Sequence, residues 1–463
     1  MHDEVASGLR QRVGPDVIFV PDAANASRHM RDYGVQADPS IKLLALAYPR
    51  NAQEVAGILA YCNEHRLPVQ PQGGMTGLAG GAVPIVPCVV MSMERMRTIR
   101  EIDPASGTIT VEAGVVMEAV QKAADEADLF FPLDIGGRGS CQIGGNVSTN
   151  AGGNRVLRFG MARDLVLGIE VVLADGTFID SLHKVLKNNT GYDLRQLFIG
   201  SEGTLGVITA IVLRLFPKPQ TVCTGIVGVS SYDGVLRLLQ LVRAALGPQL
   251  TAFEVMWPQF YELGTVAMGR TPPLPPGLGL YVLVETMGFD PGTDQQRFEG
   301  VIGEALEAGI GNDAVIAQSH RETSQLWAVR DSPGEWQRTR HWPQLSFDVS
   351  VPTAEIGDLA NEITAAITAR WPDLSMVYFG HVADGNLHAS VAMAGQSLLQ
   401  AEVEEIVYGV AGRRRGSISA EHGIGSLKKQ FLHHSRTPEE IALMRVIKRA
   451  IDPNGILNPG KVF

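Results

Sequence analysis

Two histidines flank an Asp-Gly pair in the segment HVADGNLH, which runs from His381 to His388. Asp-Gly is the strongest short signal for a two-residue β-hairpin loop, in which both loop residues adopt positive φ. With Asp384 and Gly385 as that loop, His381 stands directly opposite His388, and their Cβ atoms lie about 5 Å apart on one face of the hairpin. Two imidazoles at this separation can share one metal ion, so the spacing predicts a metal site.

A Glu-His pair later in the chain, Glu421-His422, could complete such a site. Catalytic metal sites commonly use three protein ligands and leave one position open for substrate, so Glu421 is the candidate third ligand. His422 is then the candidate base beside the metal. Two other interpretations stay open at this point: a hairpin whose imidazoles pack together or meet solvent, and a metal-dependent hydrolase built on the same ligands.

The composition is that of a globular protein with more than one domain. The chain has 463 residues, of which 45% are hydrophobic and 19% are charged, and its formal net charge is −10. This acidic balance argues against a nucleic-acid partner, and the basic run at 413–415 is interpreted as a solvated helix end. Because no apolar run reaches the roughly 20 residues of a spanning helix, we expect no membrane span.

The cysteines favour a reducing compartment. They are far apart and show no CxxC spacing, which argues against a disulfide scaffold. Each is expected to be a small buried apolar residue. The acidic start of the chain also lacks the apolar core of a signal peptide. We therefore expect a cytoplasmic protein, and peripheral contact with the inner membrane stays open. The cysteines are Cys62, Cys88, Cys141 and Cys223.

Periodicity divides the chain into two regions. The first has a helix over 51–66 and buried strands over 166–173 and 206–215. Prolines within Phe216–Gln220 mark a boundary, beyond which strands and helices alternate as in an α+β domain with an antiparallel sheet. In this second region we expect strands near 222–229, 252–256, 280–286, 345–351 and 376–382, and helices near 235–246, 298–308 and 354–370.

Two glycine-rich blocks follow early strands of the first region. They read PQGGMTGLAGG from Pro71 and IGGNVSTNAGG from Ile143. Glycines let backbone N–H groups approach an anion closely and form a phosphate-binding concavity. The first block is neither a Walker A motif nor a proper GxGxxG sequence, so alone it is equally well a structural loop. Both blocks together, in a chain with a metal-and-base set, indicate a large phosphorylated cofactor.

These two blocks, with the string PLDIG from Pro132 between them, resemble the FAD-binding domain of the vanillyl-alcohol oxidase superfamily. Further strings complete the pattern: GSEGTLG from Gly200, HVADGNLH from His381, SAEHGIG from Ser419 and NPGK from Asn458. Together they resemble the branch that holds the FAD-dependent D-lactate and D-2-hydroxyglutarate dehydrogenases. The resemblance covers nearly the whole chain.

The resemblance implies an α+β flavoprotein in two domains. A vanillyl-alcohol oxidase-type FAD-binding domain is expected over 1–218. An α+β substrate (cap) domain with an antiparallel sheet and the metal hairpin is expected over 219–415, and the segment 416–463 returns to the FAD domain. FAD is expected to be bound non-covalently. The residues at the family's FAD contact positions are Gly73, Gly74, Thr76, Gly77, Pro132, Gly144, Asn146, Asn150 and Ile208.

The resemblance also assigns roles to the chemical residues named above. It implies that His381, His388 and Glu421 are ligands of a divalent metal, usually zinc, and that His422 is the catalytic base. A 2-hydroxy acid can chelate such a metal through its hydroxyl and one carboxylate oxygen, and the metal then lowers the pKa of that hydroxyl. His422 takes the proton as hydride leaves C2 for flavin N5. Arg330, at the position of the family's substrate arginine, is expected to clamp the carboxylate; the alternative is a surface ion pair.

The substrate follows from departures from the family pattern. Enzymes that act on 2-hydroxyglutarate are expected to hold its distal carboxylate with a threonine, a lysine and an asparagine, where this chain has Gly334, Ser346 and Ser390. A buried carboxylate without a partner is costly. We therefore expect a monocarboxylate, D-lactate or a bulkier D-2-hydroxy acid, with Trp336 as an apolar wall beside Ser390. The alternative is D-2-hydroxyglutarate, with Arg338, Arg340 or His341 in place of the lysine.

The resemblance implies two partners, a small 2-hydroxy acid and an external electron acceptor. The acceptor is expected to be a quinone, a cytochrome or an electron-transfer flavoprotein. Two further alternatives are a flavin oxidase that uses oxygen and an accessory flavin subunit of a glycolate-oxidase-like complex. The metal histidines argue against the accessory subunit, which is expected to lack them. A homodimer is one of the assembly states that the sequence leaves open.

Overall fold

The computed structural model of the chain describes the backbone of residues 2–339, 344–392 and 399–463. The chain forms two compact units. The first consists of Met1–Gly153, Gly160–Lys218 and Glu421–Phe463, and the second of Asn154–Phe159 and Pro219–Ala420. The first unit is interrupted after Lys218, beside the boundary that the prolines of 216–220 predict. The first unit resumes at Glu421 rather than at 416, and the short segment 154–159 belongs to the second unit.

The elements are numbered in chain order. The described strands are β1 (Ile18–Phe19), β2 (Leu43–Ala47), β3 (Val69–Gln72), β4 (Cys88–Ser92), β5 (Ile99–Asp103), β6 (Thr108–Glu112), β7 (Leu129–Phe130), β8 (Val166–Val172), β9 (Phe178–Ser181), β10 (Val207–Arg214), β11 (Phe216–Pro217), β12 (Thr221–Val229), β13 (Leu250–Met256), β14 (Leu280–Gly288), β15 (Asp313–Ile316), β16 (Gln344–Ser350), β17 (Ser375–His381) and β18 (Asn386–Ala392). The described helices are α1 (His2–Val13), α2 (Ala23–Ala26), α3 (Ala52–Glu64), α4 (Met117–Glu126), α5 (Ile143–Ser148), α6 (Val156–Phe159), α7 (Ala162–Leu165), α8 (Arg195–Phe198), α9 (Tyr232–Leu246), α10 (Pro258–Gly264), α11 (Asp294–Glu307), α12 (His320–Arg330), α13 (Pro333–Thr339), α14 (Ile356–Arg370), α15 (Gln400–Arg413) and α16 (Pro438–Ile451).

The first unit contains a mixed sheet in the order β1-β2-β4-β3 and an antiparallel sheet in the order β5-β6-β10-β8-β9. In the first sheet, β4 pairs in parallel with β2 and with β3. Every residue of β2 and β4 is buried, which is the pattern of strands covered on both faces. The first glycine block begins at the end of β3, so this sheet fixes where the block starts.

Helix α3 shows how the sequence pattern produces an element of the first unit. Asn51 caps it by accepting a hydrogen bond from the N–H of Glu54 at 2.9 Å, an interaction that stabilises helix starts by about 1 kcal/mol. The helix ends at Glu64, shortly before Pro68. The stripe that the sequence predicts is buried, namely Val55, Ile58, Leu59 and Cys62.

The second unit is built on one antiparallel sheet, whose described strands follow the order β15-β12-β14-β13-β17-β18-β16. This confirms the predicted α+β class with an antiparallel sheet. A cluster of buried side chains on the sheet includes Phe260, Tyr261, Tyr281, Trp336 and Phe379. The four consecutive strands β13, β17, β18 and β16 carry both histidines of the predicted hairpin and the carboxylate that lies nearest to each.

The four cysteines are buried and free, as expected. Burial raises the pKa of the Cys88 thiol to about 12, so this thiol stays protonated and behaves as an apolar side chain. Within the described ranges, no helix is long and apolar enough to cross a membrane.

The basic run at 413–415 lies at the end of α15, as the sequence predicts. Arg413 and Arg414 both pair with Glu362 of α14 at 2.8 Å. Arg414 also lies 3.3 Å from Glu355. The run is therefore a helix end whose first two arginines are held by acidic residues.

Candidate functional site

A cavity inside the first unit is lined by both glycine blocks. The space not occupied by atoms is about 930 Å³ when the open solvent at its mouth is included. Pro132 and Asn150 are not among its described lining residues. Seven of the nine predicted FAD contacts do line it, namely Gly73, Gly74, Thr76, Gly77, Gly144, Asn146 and Ile208.

Close packing of the blocks against neighbouring segments explains two of the glycines. A Cβ on Gly74 would lie 2.1 Å from the carbonyl oxygen of Ser140, and one on Gly144 would lie 2.6 Å from the Cβ of Ala113. Contacts this short do not occur between real atoms, so any side chain at these positions would push the walls apart. The glycines are required for the shape of the cavity before any ligand is considered.

Buried polar atoms in this cavity fit a ligand such as FAD. Asn146 Oδ1 and Gln142 Oε1 are buried and have no hydrogen-bond partner in the part of the chain that the structure describes. Both residues line the cavity, and unpaired buried acceptors are costly unless a ligand or water satisfies them. A Cβ on Gly145 would meet nothing within 4 Å, so its backbone faces open space. These features suit the ring N–H and hydroxyl donors of a flavin.

Pro132 and Asn150 are the two predicted FAD contacts outside the described lining of the cavity. Pro132 is buried. Asn150 has a left-handed φ of 51°, a conformation that asparagine tolerates better than most residues, and its Oδ1 accepts a hydrogen bond from the N–H of Arg163 at 2.9 Å. In this structure the Asn150 side chain therefore fixes the backbone after the second block.

His422 lies on the wall of the same cavity. The loop that carries it is held by Glu202, a buried residue of the GSEGTLG string. The N–H of Ile424 donates to Glu202 Oε1 at 2.7 Å, and the N–H of Gly425 donates to Oε2 at 2.8 Å. A sequence-predicted base and the predicted FAD contacts are thus brought together within one unit, and Glu421 precedes that base in the chain.

The predicted hairpin forms in the second unit, but its loop and register differ from the prediction. Residues Val382–Asp384 form a 3₁₀ turn and Gly385 has φ of 91°, whereas Asp384 is not among the described residues with positive φ. His388 consequently pairs with Phe379 rather than with His381. The longer connection moves the register by two residues relative to the expected one.

The two histidines still face each other, because a shift of two residues preserves the side of the sheet on which each side chain lies. Their ring centroids are 5.3 Å apart and the ring planes make an angle of 80°. Both side chains are buried, with 5% exposure for His381 and 8% for His388. The pair therefore has the separation that a shared metal ion requires, in a diagonal rather than a directly opposed arrangement.

Glu254 of β13 fixes the orientation of His381. The two residues are register partners, and His381 Nδ1 lies 2.7 Å from Glu254 Oε1. Burial opposes ionisation of Glu254, yet His381 and Arg330 outweigh it and hold the pKa of this carboxyl at about 2. The ionised carboxylate accepts a hydrogen bond from the Nδ1–H of His381. The lone pair of the neutral imidazole is then on Nε2.

Arg330 ends α12 beside the same group. Its Nε donates to Glu254 Oε2 at 2.9 Å, and its terminal nitrogen lies 3.2 Å from His381 Nε2. The guanidinium also stands over the ring of Phe379 at 5.0 Å. Arg330 is 8% exposed; besides its contact with the buried Glu254 it lies 3.8 Å from Asp331.

Asp348 of β16 plays a comparable part for His388. The two residues are register partners, and His388 Nδ1 lies 3.8 Å from Asp348 Oδ1. The same carboxylate oxygen accepts a hydrogen bond from Asn386 Nδ2 at 2.8 Å. Each histidine of the pair thus has a buried carboxylate behind its Nδ1.

The serines that departed from the family pattern lie side by side. Ser346 of β16 and Ser390 of β18 are register partners; Ser390 is buried and Ser346 is exposed. Trp336 is 1% exposed and packs edge-on against Phe260. Arg340 and His341 lie outside the described residues, as does the side chain of Arg338.

Sequence reasoning missed Glu254, Asp348 and Glu202. Glu254 is the single charged residue in the apolar strand LTAFEVM, and a charge in a fully buried strand is a signal of a specific partner. Asp348 occupies the same kind of position in β16, where it is 0% exposed. Glu202 has no such signal, because its glycine-rich surroundings do not form a strand or helix.

Family models match the two regions of the chain separately. Residues 43–181 match the FAD binding domain, and residues 218–462 match the C-terminal domain of FAD linked oxidases. The first match covers the two glycine blocks. The second covers the histidine pair, Arg330 and the Glu-His pair.

The chain is similar to proteins whose names specify 2-hydroxy acids. It is 42% identical to D-2-hydroxyglutarate dehydrogenase, mitochondrial, of Bos taurus, over 90% of this chain and 76% of that protein. It is 40% identical to a mitochondrial protein of Schizosaccharomyces pombe named provisionally as a D-lactate dehydrogenase, over 89% and 80%. Among solved structures, p-cresol methylhydroxylase with substrate bound shares the fold, with a TM-score of 0.78, 18% identity, and coverage of 99% and 96%.

Proposed function

Because the chain belongs to the family of FAD-linked oxidases, we propose that it oxidises a D-2-hydroxy acid to the 2-oxo acid with FAD and one divalent metal ion. The observation that carries this proposal is the position of His422 on the wall of the cavity lined by both glycine blocks. A base on that wall is what proton removal beside a flavin requires.

The glycine blocks are proposed to hold FAD without a covalent bond. Asn146 and Gln142 offer buried acceptors to the cofactor, and Gly73 and Gly145 let its bulk approach the backbone. Pro132 and Asn150 are proposed to support the pocket from its edge. When bound, FAD supplies the acceptor for the hydride that leaves C2 of the substrate. Cys141 also lines the cavity, but burial raises the pKa of its thiol, which disfavours a thiolate tether.

His381, His388 and Glu421 are proposed as the metal ligands, with zinc as the first candidate. The carboxylates of Glu254 and Asp348 support this assignment, because histidine ligands commonly direct their other ring nitrogen to a carboxylate. When bound, a divalent cation lowers the pKa of a substrate hydroxyl by several units. His422 then takes that proton.

Arg330 is proposed to bind the substrate carboxylate. Its terminal nitrogen lies 3.2 Å from His381 Nε2, the nitrogen proposed for the metal. If His381 Nε2 held the metal, a 2-hydroxy acid bound there would have its carboxylate within reach of the guanidinium. Glu254 holds the other edge of that guanidinium through Nε, so the fork stays oriented.

The substrate is proposed to be a monocarboxylate, D-lactate or a bulkier D-2-hydroxy acid. The neutral pair Ser346–Ser390 supports this choice, because neither serine can compensate a second carboxylate. Trp336 is proposed as the apolar wall beside the substrate side chain. A second candidate is D-2-hydroxyglutarate, which the name of the Bos taurus relative favours.

The test is turnover of D-lactate, D-mandelate and D-2-hydroxyglutarate with a dye as electron acceptor, beside the L enantiomers. We expect a monocarboxylate to give a kcat/KM at least about tenfold above that of D-2-hydroxyglutarate, because a buried unpaired charge costs more than 1.4 kcal/mol. A strong preference for D-2-hydroxyglutarate would contradict the monocarboxylate assignment. Turnover of none of the acids would contradict the function itself.

The electron acceptor is proposed to be a quinone, a cytochrome or an electron-transfer flavoprotein. Peroxide released during turnover in air would identify an oxidase instead. For the compartment we propose the cytoplasm, which the free cysteines support; the names of the two relatives above place those proteins in mitochondria.

A further inference from the structure

The loop that follows Glu421-His422 is built onto a buried carboxylate of another segment of the first unit. Glu202 accepts one hydrogen bond on each oxygen, from the N–H groups of Ile424 and Gly425, at 2.7 and 2.8 Å. Burial raises the pKa of this carboxyl, while the hydrogen bonds from the two N–H groups oppose that rise, because N–H bonds to a carboxylate oxygen are short and strong. Two of them at successive residues fix both the position and the orientation of that backbone.

The Glu202 carboxylate lies so close to a glycine on each side that neither position has room for a side chain. A Cβ on Gly423 would lie 2.9 Å from Glu202 Oε1, and one on Gly81 would lie 3.0 Å from Oε2. Gly423 also has a left-handed φ of 80°. The carboxylate is therefore in close contact with the residue immediately after His422 and with the end of the first glycine block.

Glu202 is itself held by several interactions. Its φ of 53° lies in the left-handed region, which costs a non-glycine residue about 1 kcal/mol or more and persists only where surrounding contacts impose it. Its N–H donates to the carbonyl of Ser148 at 2.8 Å, and Asn458 Nδ2 donates to its carbonyl at 2.6 Å. The residue is 8% exposed, so the carboxylate has little freedom to move.

The same loop is joined directly to the first glycine block. The N–H groups of Ser426 and Leu427 both donate to the carbonyl of Ala79, at 3.1 and 3.3 Å. A Cβ on Gly425 would lie 2.0 Å from that carbonyl oxygen. The backbone after His422 and the backbone of the cofactor cradle are thus one hydrogen-bonded structure, with Glu202 at their junction.

We infer that Glu202 is a positioning residue, which sets His422 at the flavin cavity by anchoring the loop at 424 and 425. This inference rests on the proposed role of His422 as the base. Glu202 moves no proton in the reaction; it acts through the backbone of the loop. Displacement of a catalytic group by about 1 Å can lower a rate 100-fold, so loss of this anchor should appear in kcat.

The test compares Glu202→Gln with Glu170→Gln as holoproteins. Glu170 is a matched control because it is also buried in the first unit, accepts a hydrogen bond from Thr209 at 2.7 Å and pairs with Arg100 at 3.1 Å, but does not line the cavity. Two properties are measured: hydrogen exchange of the amides of Ile424 and Gly425, and kcat and KM with flavin content.

The inference expects faster exchange at 424 and 425 and a kcat lowered about 100-fold in Glu202→Gln, with KM and flavin content within about threefold of wild type. Glu170→Gln should change neither exchange there nor kcat. Unchanged exchange at 424 and 425, or equal kcat losses in both variants, would overturn the inference. Wild-type protein that oxidises no 2-hydroxy acid would instead overturn the proposed function, and the exchange result would still decide whether Glu202 anchors the loop.

Gly423→Ala provides a second disturbance of the same contact if Glu202→Gln does not fold. The added Cβ would displace the loop from Glu202 Oε1 while the carboxylate stays in place. The same loss of kcat with retained flavin supports the inference, and an unchanged kcat contradicts it.

Discussion

Glu254 on β13 lies across from His381 on β17, with Oε1 2.7 Å from Nδ1 of the histidine. The opposite oxygen of the same carboxylate accepts a hydrogen bond from Arg330. One buried carboxylate therefore orients both a proposed metal ligand and the proposed substrate clamp. This relationship leads to the first two predictions.

Removal of the Glu254 charge should weaken the metal site. We expect Glu254→Gln to lower zinc affinity about 10- to 100-fold, the usual effect of losing a partner behind a histidine ligand. Competition with a chelator measures this. The control is Glu285→Gln, since Glu285 is a buried carboxylate of the same sheet that accepts from Trp327 Nε1 instead; equal losses in both variants would contradict the role assigned to Glu254.

Arg330→Met should impair substrate binding more than cofactor binding. A hydrogen-bonded charge is worth about 1.5–3 kcal/mol, so kcat/KM should fall about 10- to 100-fold while the flavin content stays unchanged. The matched control is Arg270→Met. Arg270 forms an ion pair with Glu335 at a distance of 2.7 Å, and this pair does not include either histidine. Steady-state kinetics of the two variants measure the effect. Unchanged KM and kcat in Arg330→Met would contradict the proposal that Arg330 binds the substrate carboxylate.

The serine pair predicts a change of substrate. Ser346→Lys combined with Ser390→Asn places a cation and an amide on adjacent strands, and a hydrogen-bonded charge contributes enough to raise kcat/KM for D-2-hydroxyglutarate by about tenfold or more. Ser375→Lys adds the same charge at the exposed start of β17 and should have no such effect. If kcat/KM for D-2-hydroxyglutarate does not rise in the double variant, the two serines do not determine substrate specificity.

Lys461 predicts a pH dependence of stability. Its Nζ is buried and donates to the carbonyls of Gly80 and Val83 at 2.8 and 2.5 Å, and burial lowers the pKa of this amine from 10.5 to about 8. A pKa that is lower in the folded state than in the unfolded state means that folding disfavours the charged amine. The resulting loss of folding stability is complete below pH 8 and is relieved as the pH rises towards 10.5.

The free energy of unfolding of wild type should therefore gain up to about 3 kcal/mol relative to Lys461→Met between pH 8 and 10.5. Urea unfolding at several pH values measures the difference between the two proteins, which removes the titration of all other groups. A difference that is constant with pH would contradict the shifted pKa.

The sequence predicts the elements of this chain better than the contacts between them. Apolar spacing places α3 and the strands around 166–173 and 206–215 within a few residues, because a buried stripe depends on local order. Asp384-Gly385 indicates the hairpin, yet the actual connection includes Val382, since the turn is a 3₁₀ turn closed by Gly385. The histidines still lie on one face of the sheet, because side chains alternate between faces and a register shift of two residues leaves the face unchanged.

The partners of the site residues could not be predicted, because they are distant in sequence. Glu254 lies on β13 and reaches His381 only through the order of the strands in the sheet. Glu202 meets Ile424 through the packing of two loops. Such contacts depend on the whole fold, whereas the candidate ligands and base are visible as short motifs.

The most direct measurement of the central claim is the flavin absorption spectrum of the holoprotein mixed anaerobically with D-lactate, D-mandelate or D-2-hydroxyglutarate. We predict that at least one D acid bleaches the visible flavin band within the mixing experiment, that metal-stripped protein with its FAD retained does not bleach, and that added zinc restores bleaching. A flavin that no 2-hydroxy acid bleaches would contradict the activity, and bleaching that is equally fast without metal would contradict the metal site.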